Sequence, residues 1–352
     1  MDSNARITKE SKKRIKVDYE DKISFKERMK KKFSESNTWI KIGVAILKFI
    51  LMLGISFVIL YPFFARIAGS FMTMEDVRDP TVALIPKNFT LDIYKHLVID
   101  ARYFEALLNT FIVSVLSALI QTFISCLVGY GLAKFKFKGN KAVMIAVVVT
   151  MLIPHNTIQI AIQNHFQFFD IGQVQAWGYP SIFSLISGGR GIQLHNTYWP
   201  MVIMSFGGLA FKNGLYIYMM RQFFKGVPDE LEESAYVDGS GVFRTFIQII
   251  LPLAVPMMIT IFLFAFSWQW TDEFYIGIFF PNKGADTVMW FMPDVYKTFP
   301  EALQSNSESL NQMYKVVVAN TAGMMIIMPL VIMYIFCQRY LVQGIERSGL
   351  VG

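Results

Sequence analysis

Residues 226–256 read GVPDELEESAYVDGSGVFRTFIQIILPLAVP and carry complete helix punctuation inside a charged loop between two apolar runs. Pro228 suits a first helical position, and Asp229, Glu230, Glu232 and Glu233 favour the positive end of a helix dipole. Gly239 can close that helix in the left-handed conformation that a β-carbon disfavours. A second helix then starts near Val242 and must pass Pro252 and Pro256, which predicts a bend. The result is a stiff helix-turn-helix, thin enough at Ser234 and Ala235 for another protein to approach closely and suited to transmitting force. The competing reading is an amphipathic helix lying on the bilayer, against which the acidic first turn argues.

Outward from this loop the chain is apolar. Of its 352 residues 54% are hydrophobic and only 17% charged, which excludes a soluble composition and predicts an all-α, polytopic membrane protein. About six stretches approach the ~20 residues that cross a hydrocarbon core: 42–64, 107–133, 142–162, 198–220, 253–270 and 316–336. Lys48 sits near enough to the inner edge of the first to snorkel, whereas Lys212 and Asn213 interrupt the fourth, which is expected either to be broken there or to be lined by protein. Residues 172–193 and 281–309 read as external insertions. The two cysteines, Cys126 and Cys337, lie in or beside apolar runs, which excludes a disulfide scaffold and a cysteine-rich metal domain.

The net charge of +7 comes with Lys and Arg placed as orientation signals, so no nucleic-acid partner is implied. Lys12, Lys13, Arg14, Lys16, Lys30, Lys31 and Lys32 precede the first span. Lys134, Lys136, Lys138 and Lys141 separate the second from the third, Arg221, Lys225 and Arg244 the fourth from the fifth, and Arg339 and Arg347 follow the sixth. Those segments are expected in the cytoplasm. The connections carrying Glu75, Asp76, Asp79, Asp170, Asp286, Asp294 and Glu301 are expected outside, which leaves both termini cytoplasmic. Residues 1–41 form a basic cytoplasmic tail that either holds this topology or touches anionic membrane lipid, and their polar start does not read as a cleaved secretory signal. Residues 42–352 form the transmembrane domain, with the charged loop at 226–252.

Few other residues suggest chemistry. His96, His155, His165 and His195 have no metal-ligand spacing, and Gly188, Gly189 and Gly191 are not followed by the Lys-Ser or Lys-Thr of a phosphate-binding loop. The glycines read as flexibility. Without a phosphate-binding loop, energy for any transport has to come from a partner. Trp268, Gln269 and Trp270, with Asp272 and Glu273, fall at the outer end of the fifth span. They read first as an interfacial aromatic belt, and second as a pathway lining in which rings stack on sugars. Gln121, Ser125, Asn156, Gln159 and Asn320 are polar at membrane depth, where bonds between helices are the first expectation; Asn320 is also a weak pathway candidate.

Glu233, Ser234, Ala235, Gly239, Ile249, Leu251 and Pro252 stand at a spacing that resembles the EAA loop of binding-protein-dependent ABC importer permeases, with Ser234 where the commonest form has Ala. The resemblance runs from about Phe63 to Gly352. Leu84, Ile85, Pro86, Thr90, Leu91 and Tyr94 are similar to that family's first external loop. Asn109, Thr110, Tyr130, Gly131, Leu132, Ala133, Phe137 and Gly139 are similar to its second span, and Ile153 with Pro154 to its third. Gln222, Phe223, Phe224, Pro228 and Leu231, then Gln338, Arg339, Tyr340 and Gly344, continue the pattern, whose closest likeness is the maltose-permease type. The tail and the external insertions depart from it.

The resemblance implies a type I ABC importer permease fold in a bacterial plasma membrane and a transporter subunit rather than an enzyme. Its implied partners are a second, related permease, two cytoplasmic ATPase subunits and an extracytoplasmic solute-binding protein. This chain would bind no cofactor, ATP and Mg being held by the ATPase. Glu233, Ser234, Ala235, Asp238 and Gly239 would form the helix seated on the ATPase, followed by Ile249, Leu251 and Pro252, with Glu233 facing a basic residue there. The implied cargo is a carbohydrate, an oligosaccharide. The alternatives are a non-sugar solute, a polytopic enzyme, for which no convergent acid, base or metal residues are visible, and a membrane scaffold.

Overall fold

The computed structural model describes residues 36–170, 191–281 and 289–349. In chain order the helices are α1 (Ser36–Gly69), α2 (Met74–Arg78), α3 (Asp92–Ile99), α4 (Tyr103–Lys134), α5 (Asn140–Leu152), α6 (Gln159–Gln167) and α7 (Trp199–Phe206). There follow α8 (Asn213–Lys225), α9 (Glu230–Val237), α10 (Val242–Thr245), α11 (Leu251–Trp270), α12 (Phe274–Phe279), α13 (Met292–Lys297) and α14 (Glu308–Gly349). Among the described residues there is no β-strand, only isolated bridges between Met72 and Phe89 and between Phe169 and Ile192. The chain divides at Ala65 and Arg66 into two units, α1 supplying the described part of the first.

Among the described residues four stretches are long and apolar enough to cross a membrane: Ile40–Gly69, Tyr103–Lys134, Val242–Trp270 and Glu308–Tyr340. They enclose the expected spans one, two, five and six. The helix of α1 begins at Ser36, inside the segment read as tail, and the rest of that tail lies outside the described residues.

The third and fourth spans are not straight rods. Pro154 has no N–H to continue the ladder of α5, and Ile153 before it is extended at φ −73°, ψ 118°. A 3₁₀ turn at His155–Ile158 follows, and the chain continues as α6 at 95° to α5. In the fourth, Gly208 (φ +68°) and Lys212 (φ +63°) take left-handed conformations that no helix interior accepts, so α7 and α8 are separate limbs of 8 and 13 residues. Of the two alternatives for the fourth span the break is the one present, while the uninterrupted span expected at 142–162 is replaced by a bent pair.

Within the second unit α4 is the central element, and α8 and α11 make its most extensive contacts. It presents small and polar side chains inward, with Ser114, Ser117, Thr122 and Ser125 all buried, which lets neighbouring backbones come close. At Gly129 a β-carbon would stand 2.6 Å from Met220 Cβ and 3.0 Å from the Arg221 amide nitrogen on α8, so only glycine fits. Polar groups at depth find partners across helices: Tyr103 Oη donates to Met325 O at 3.1 Å and Trp270 Nε1 to Ile326 O at 2.9 Å, both joining the bundle to α14. Thr110 Oγ1 accepts the Met292 amide at 3.0 Å, and Asn109 links Tyr198 Oη to the Trp290 carbonyl.

A second apolar cluster, with Phe166, Met201, Tyr275, Phe279, Phe280 and Phe291, joins α6, α7 and α12. Asp272 Oδ1 accepts the Phe274 and Tyr275 amides that open α12. Outside the membrane helices, Asp76 is buried and satisfied by the Asn88 amide and side chain. Tyr94 Oη meets Ser70 Oγ at 2.8 Å, and Tyr314 of α14 donates to Met72 O at 3.2 Å. Most of 172–193, with Gly188 and Gly189, and residues 282–288 lie outside the described residues. Gly191 is described, and it is a tight contact rather than a flexible joint: a β-carbon there would meet Phe168 O at 2.6 Å. The rest of the second stretch is structured, with α13 and a 3₁₀ turn at Glu301–Leu303.

Candidate functional site: the charged hairpin between α8 and α11

The chain leaves α8 at Gly226 and is immediately tied down. Lys134, at the C-terminal end of α4 with its side chain 7% exposed, donates to Val227 O at 2.6 Å and forms an ion pair with Asp229. That hydrogen-bonded ammonium holds the Asp229 carboxyl below the usual carboxylate range. Asp229 is the N-cap of α9, its carbonyl accepting the amides of Glu232 and Glu233 at 3.0 Å each. Pro228 accordingly stands just before the cap and not at the first helical position.

α9 has two faces. Glu232 and Ala235, three apart, are buried, while Glu233, Ser234 and Asp238 are exposed. Gly239 at φ +79° ends the helix as expected, in a Schellman arrangement: Ser240 N donates to Ala235 O at 2.9 Å and Gly239 N to Tyr236 O at 3.0 Å. Nothing lies within 4 Å of a β-carbon built there, so the glycine answers a backbone requirement and not a shortage of space.

Gly241 then opens α10, with Thr245 N donating to Gly241 O at 2.9 Å. The irregularity expected around Pro252 is a π turn over Phe246–Ile250, which passes into α11 with Pro252 in its first turn. Ile249 and Leu251 are half-buried and Pro252 exposed. Phe246 and Ile250 are buried, and the Phe246 ring lies 4.8 Å from that of Tyr130 on α4. The hairpin is thus anchored to α4 twice, by Lys134 at its start and by Tyr130 at its end.

Its outer surface combines acid and apolar groups. Val237 is 87% and Phe243 74% exposed, with Leu231, Tyr236, Val242 and Ile247 also open around Glu233 and Asp238. Large apolar groups flanking carboxylates suit docking against a protein surface that carries a basic residue. Sequence reading missed Lys134 as part of this site and missed that Glu232, not Glu233, turns inward. Glu232 Oε1 has no hydrogen-bond partner, although Tyr130 Oη is near it. The i, i+3 spacing of Glu232 and Ala235 was the available signal.

The four weak pathway candidates are not brought together as a group. Trp270 is 1% exposed and bonded to Ile326 O, so it joins helices, which corrects its reading as a lining residue. Gln269 is buried, donating to Asp272 Oδ2 at 3.1 Å and contacting Met201 Sδ. Asn320 is half-buried on α14. Trp268 is 48% exposed, its ring 5.3 Å from that of Phe211 at the break in span four.

Long apolar helices, two broken ones and a charged hairpin held to α4 define a polytopic membrane protein. Residues 121–347 match the family described as binding-protein-dependent transport system inner membrane component, and the chain belongs to that family of ABC transporter permeases. It is a multi-pass protein of the bacterial inner membrane and a component of an ABC transport system, not an enzyme. It is 30% identical to the polygalacturonan/rhamnogalacturonan transport system permease protein YtcP of Bacillus subtilis over 224 residues, 64% of this chain and 68% of that one. It is 26% identical to the maltodextrin transport system permease protein MalD of Streptococcus pneumoniae over 303 residues, 86% and 94% of the two chains. Its fold matches a chain in the crystal structure of a bacterial ABC transporter involved in the import of the acidic polysaccharide alginate, with TM-score 0.60 and 20% identity. That match covers 87% of this chain and 98% of the other.

Proposed function

We propose that this chain is one permease of an ATP-driven importer for an oligosaccharide, working with a second, related permease, two cytoplasmic ATPase subunits that bind ATP and Mg, and an external solute-binding protein. Both termini and the 226–252 hairpin face the cytoplasm, where the Lys and Arg of the short loops lie. Glu233, Ser234, Asp238 and Gly239 present the surface that seats on the ATPase, whereas Ala235, expected there from the sequence, is buried on the inward face of α9 and supports that surface from behind. Ile249, Leu251 and Pro252 carry its movement into α11. Closure of the nucleotide-bound ATPase pair draws the hairpins inward and switches the pathway between inward- and outward-facing packings.

The observation that carries this reading is the double anchoring of the hairpin to α4: a knob held by Lys134 and by the Tyr130–Phe246 contact moves with the bundle and not on a hinge. The carbohydrate assignment is supported by the named relatives, whose cargoes include the neutral maltodextrin and the acidic polygalacturonan, so they leave the charge of the cargo open.

Glu233→Lys and Gly239→Asp in the assembled complex are expected to leave membrane insertion intact while cutting uptake and co-purification of the ATPase. A Gly241→Ala control, at ordinary φ and in open space, is expected to be silent. Normal uptake by both hairpin variants would sink the coupling role.

A further inference from the structure

The turn that joins α4 to α5 is a fixed, hydrogen-bonded loop. Phe135 N donates to Gly131 O and Asn140 N to Phe137 O, at 3.2 Å each, while Asn140 Nδ2 donates to Leu132 O and Phe135 O. Gly139 at φ +100° then leads the chain into α5, whose N-terminus no side chain caps. Beside this turn runs α8, locked to α4 by the close approach of Gly129 to the Arg221 backbone. Turn and helix enclose an open concavity of about 670 Å³.

The lining of that concavity is cationic. Lys136, Lys138 and Lys141 border it from the turn and the start of α5, and Arg221 and Lys225 from α8. No Asp or Glu lines it, and none of these five cations forms an ion pair among the described residues. Asp229, the carboxylate that Lys136 acts on at longer range, is already paired with Lys134. Arg221 is half-buried and its Nε has no hydrogen-bond partner, so the protein leaves that charge uncompensated. The positive end of α5 adds to the same field. Like charges gathered on a fixed frame repel one another, and an anion between them relieves the repulsion.

Apolar groups stand among the charges. Phe135 is 41% and Phe137 47% exposed, and α5 continues with exposed Val143 and Ile145. A free phosphate or a soluble nucleotide would engage the cations and leave these rings and the open face of α5 in water. A ligand that is anionic at one end and apolar at the other satisfies both, and basic pockets at the ends of membrane helices hold such headgroups.

We propose that this concavity binds the headgroup of an anionic phospholipid, its phosphates among Lys136, Lys138, Lys141, Arg221 and Lys225 and its acyl chains along the open face of α5. Five cations exceed the charge of one phosphodiester, so a headgroup with two phosphates fits better than one with a single phosphate. Lys134, two residues before Lys136, holds the start of the hairpin, so the bound lipid braces the end of α4 on which the hairpin stands. The site is independent of the cargo.

The test uses the complete transporter, with both permeases and the ATPase, and a cardiolipin analogue that is photoreactive in its headgroup. Cross-links are expected in residues 134–141 or 221–225, and unlabelled cardiolipin is expected to compete better than phosphatidylglycerol, and phosphatidylcholine hardly at all. Lys138→Gln with Lys141→Gln is expected to raise the concentration for half-maximal cross-linking roughly 25-fold, about fivefold per charge. Lys41→Gln with Arg339→Gln makes the same charge change at exposed cations outside the concavity and is expected to leave that concentration within about twofold. Equal shifts in the two pairs overturn the proposal in favour of diffuse surface attraction. Competition by phosphatidylcholine as strong as by cardiolipin, or cross-links only elsewhere, also overturns it. Displacement by millimolar pyrophosphate would assign the cations to a soluble anion, and cross-linking of the permease pair that vanishes once the ATPase is bound would assign them to acidic residues of that partner. If the lysine pair fails to assemble, the cross-link position and the competition order in the unmodified complex decide.

Discussion

Asp272 sits just past the last turn of α11, and burial pushes its carboxyl up to about 6 although three hydrogen bonds pull the other way. In the unfolded chain the group titrates near 3.9. A raised acid favours the folded state while protonated, so its contribution is full below about pH 4 and is lost as pH rises through about 6, on the order of 2–3 kcal/mol. Asn keeps the acceptor for the Phe274 and Tyr275 amides without the charge. The melting temperature of Asp272→Asn in detergent, measured against the unmodified protein, is therefore expected to rise relative to it between pH 5 and pH 7.5. A difference that stays constant across that range would show that the site is better solvated than its surroundings suggest. At this scale the sequence was legible where backbone chemistry decides and obscure where side-chain direction does. Gly239 is required by its φ and was readable from its place after an acidic helix; the spacing of Glu232 and Ala235 marked one face of α9 but not that this face is the buried one.

Among the helices the tightest geometric demand is the crossing of α4 and α8. Gly129→Ala is expected to force Met220 and the Arg221 backbone apart, costing about 1–3 kcal/mol as overpacking does and lowering the thermal midpoint and the yield of monodisperse protein. Gly131→Ala, two residues away with nothing within 4 Å, is the matched control and is expected to change neither. Equal effects of the two would mean that helix propensity and not the close approach controls that stretch. The four continuous spans were readable because about 20 apolar residues in a row leave a chain in lipid little choice. The 95° turn after α5 was not, because a proline reads alike whether it kinks a helix or ends it; the neighbours that hold α6 across the bundle decide, among them Tyr275 on His155 and Phe279 against Phe166. The break before α8 was readable, since Lys and Asn in mid-span are unfavourable as lipid-facing helix.

For the whole molecule the open quantity is sidedness. Cys126 is buried and Cys337 partly exposed, so a Cys337→Ser background leaves one sheltered native thiol. In that background Ser240→Cys, in the turn of the hairpin, is expected to react with a membrane-impermeant maleimide only from the cytoplasmic face. Ser307→Cys, just before α14, is expected to react only from outside. Labelling in the reverse sense would invert the assignment of every loop and remove the hairpin from reach of any ATPase.

The interrupted spans also bear on how such a chain is made. At about 1.5 Å per residue α5 is roughly 20 Å long and α7 about 12 Å, so neither can bridge a ~30 Å slab by itself. These limbs are poor cargo for a translocation channel that samples one hydrophobic rod at a time. In the finished bundle both α7 and α8 pack on α4, so their embedding is expected to depend on α4 being in place. Insertion is therefore expected to proceed as a group event, and a chain truncated before α11 to be cleared faster by membrane proteases than the full-length chain, which a pulse-chase comparison would show.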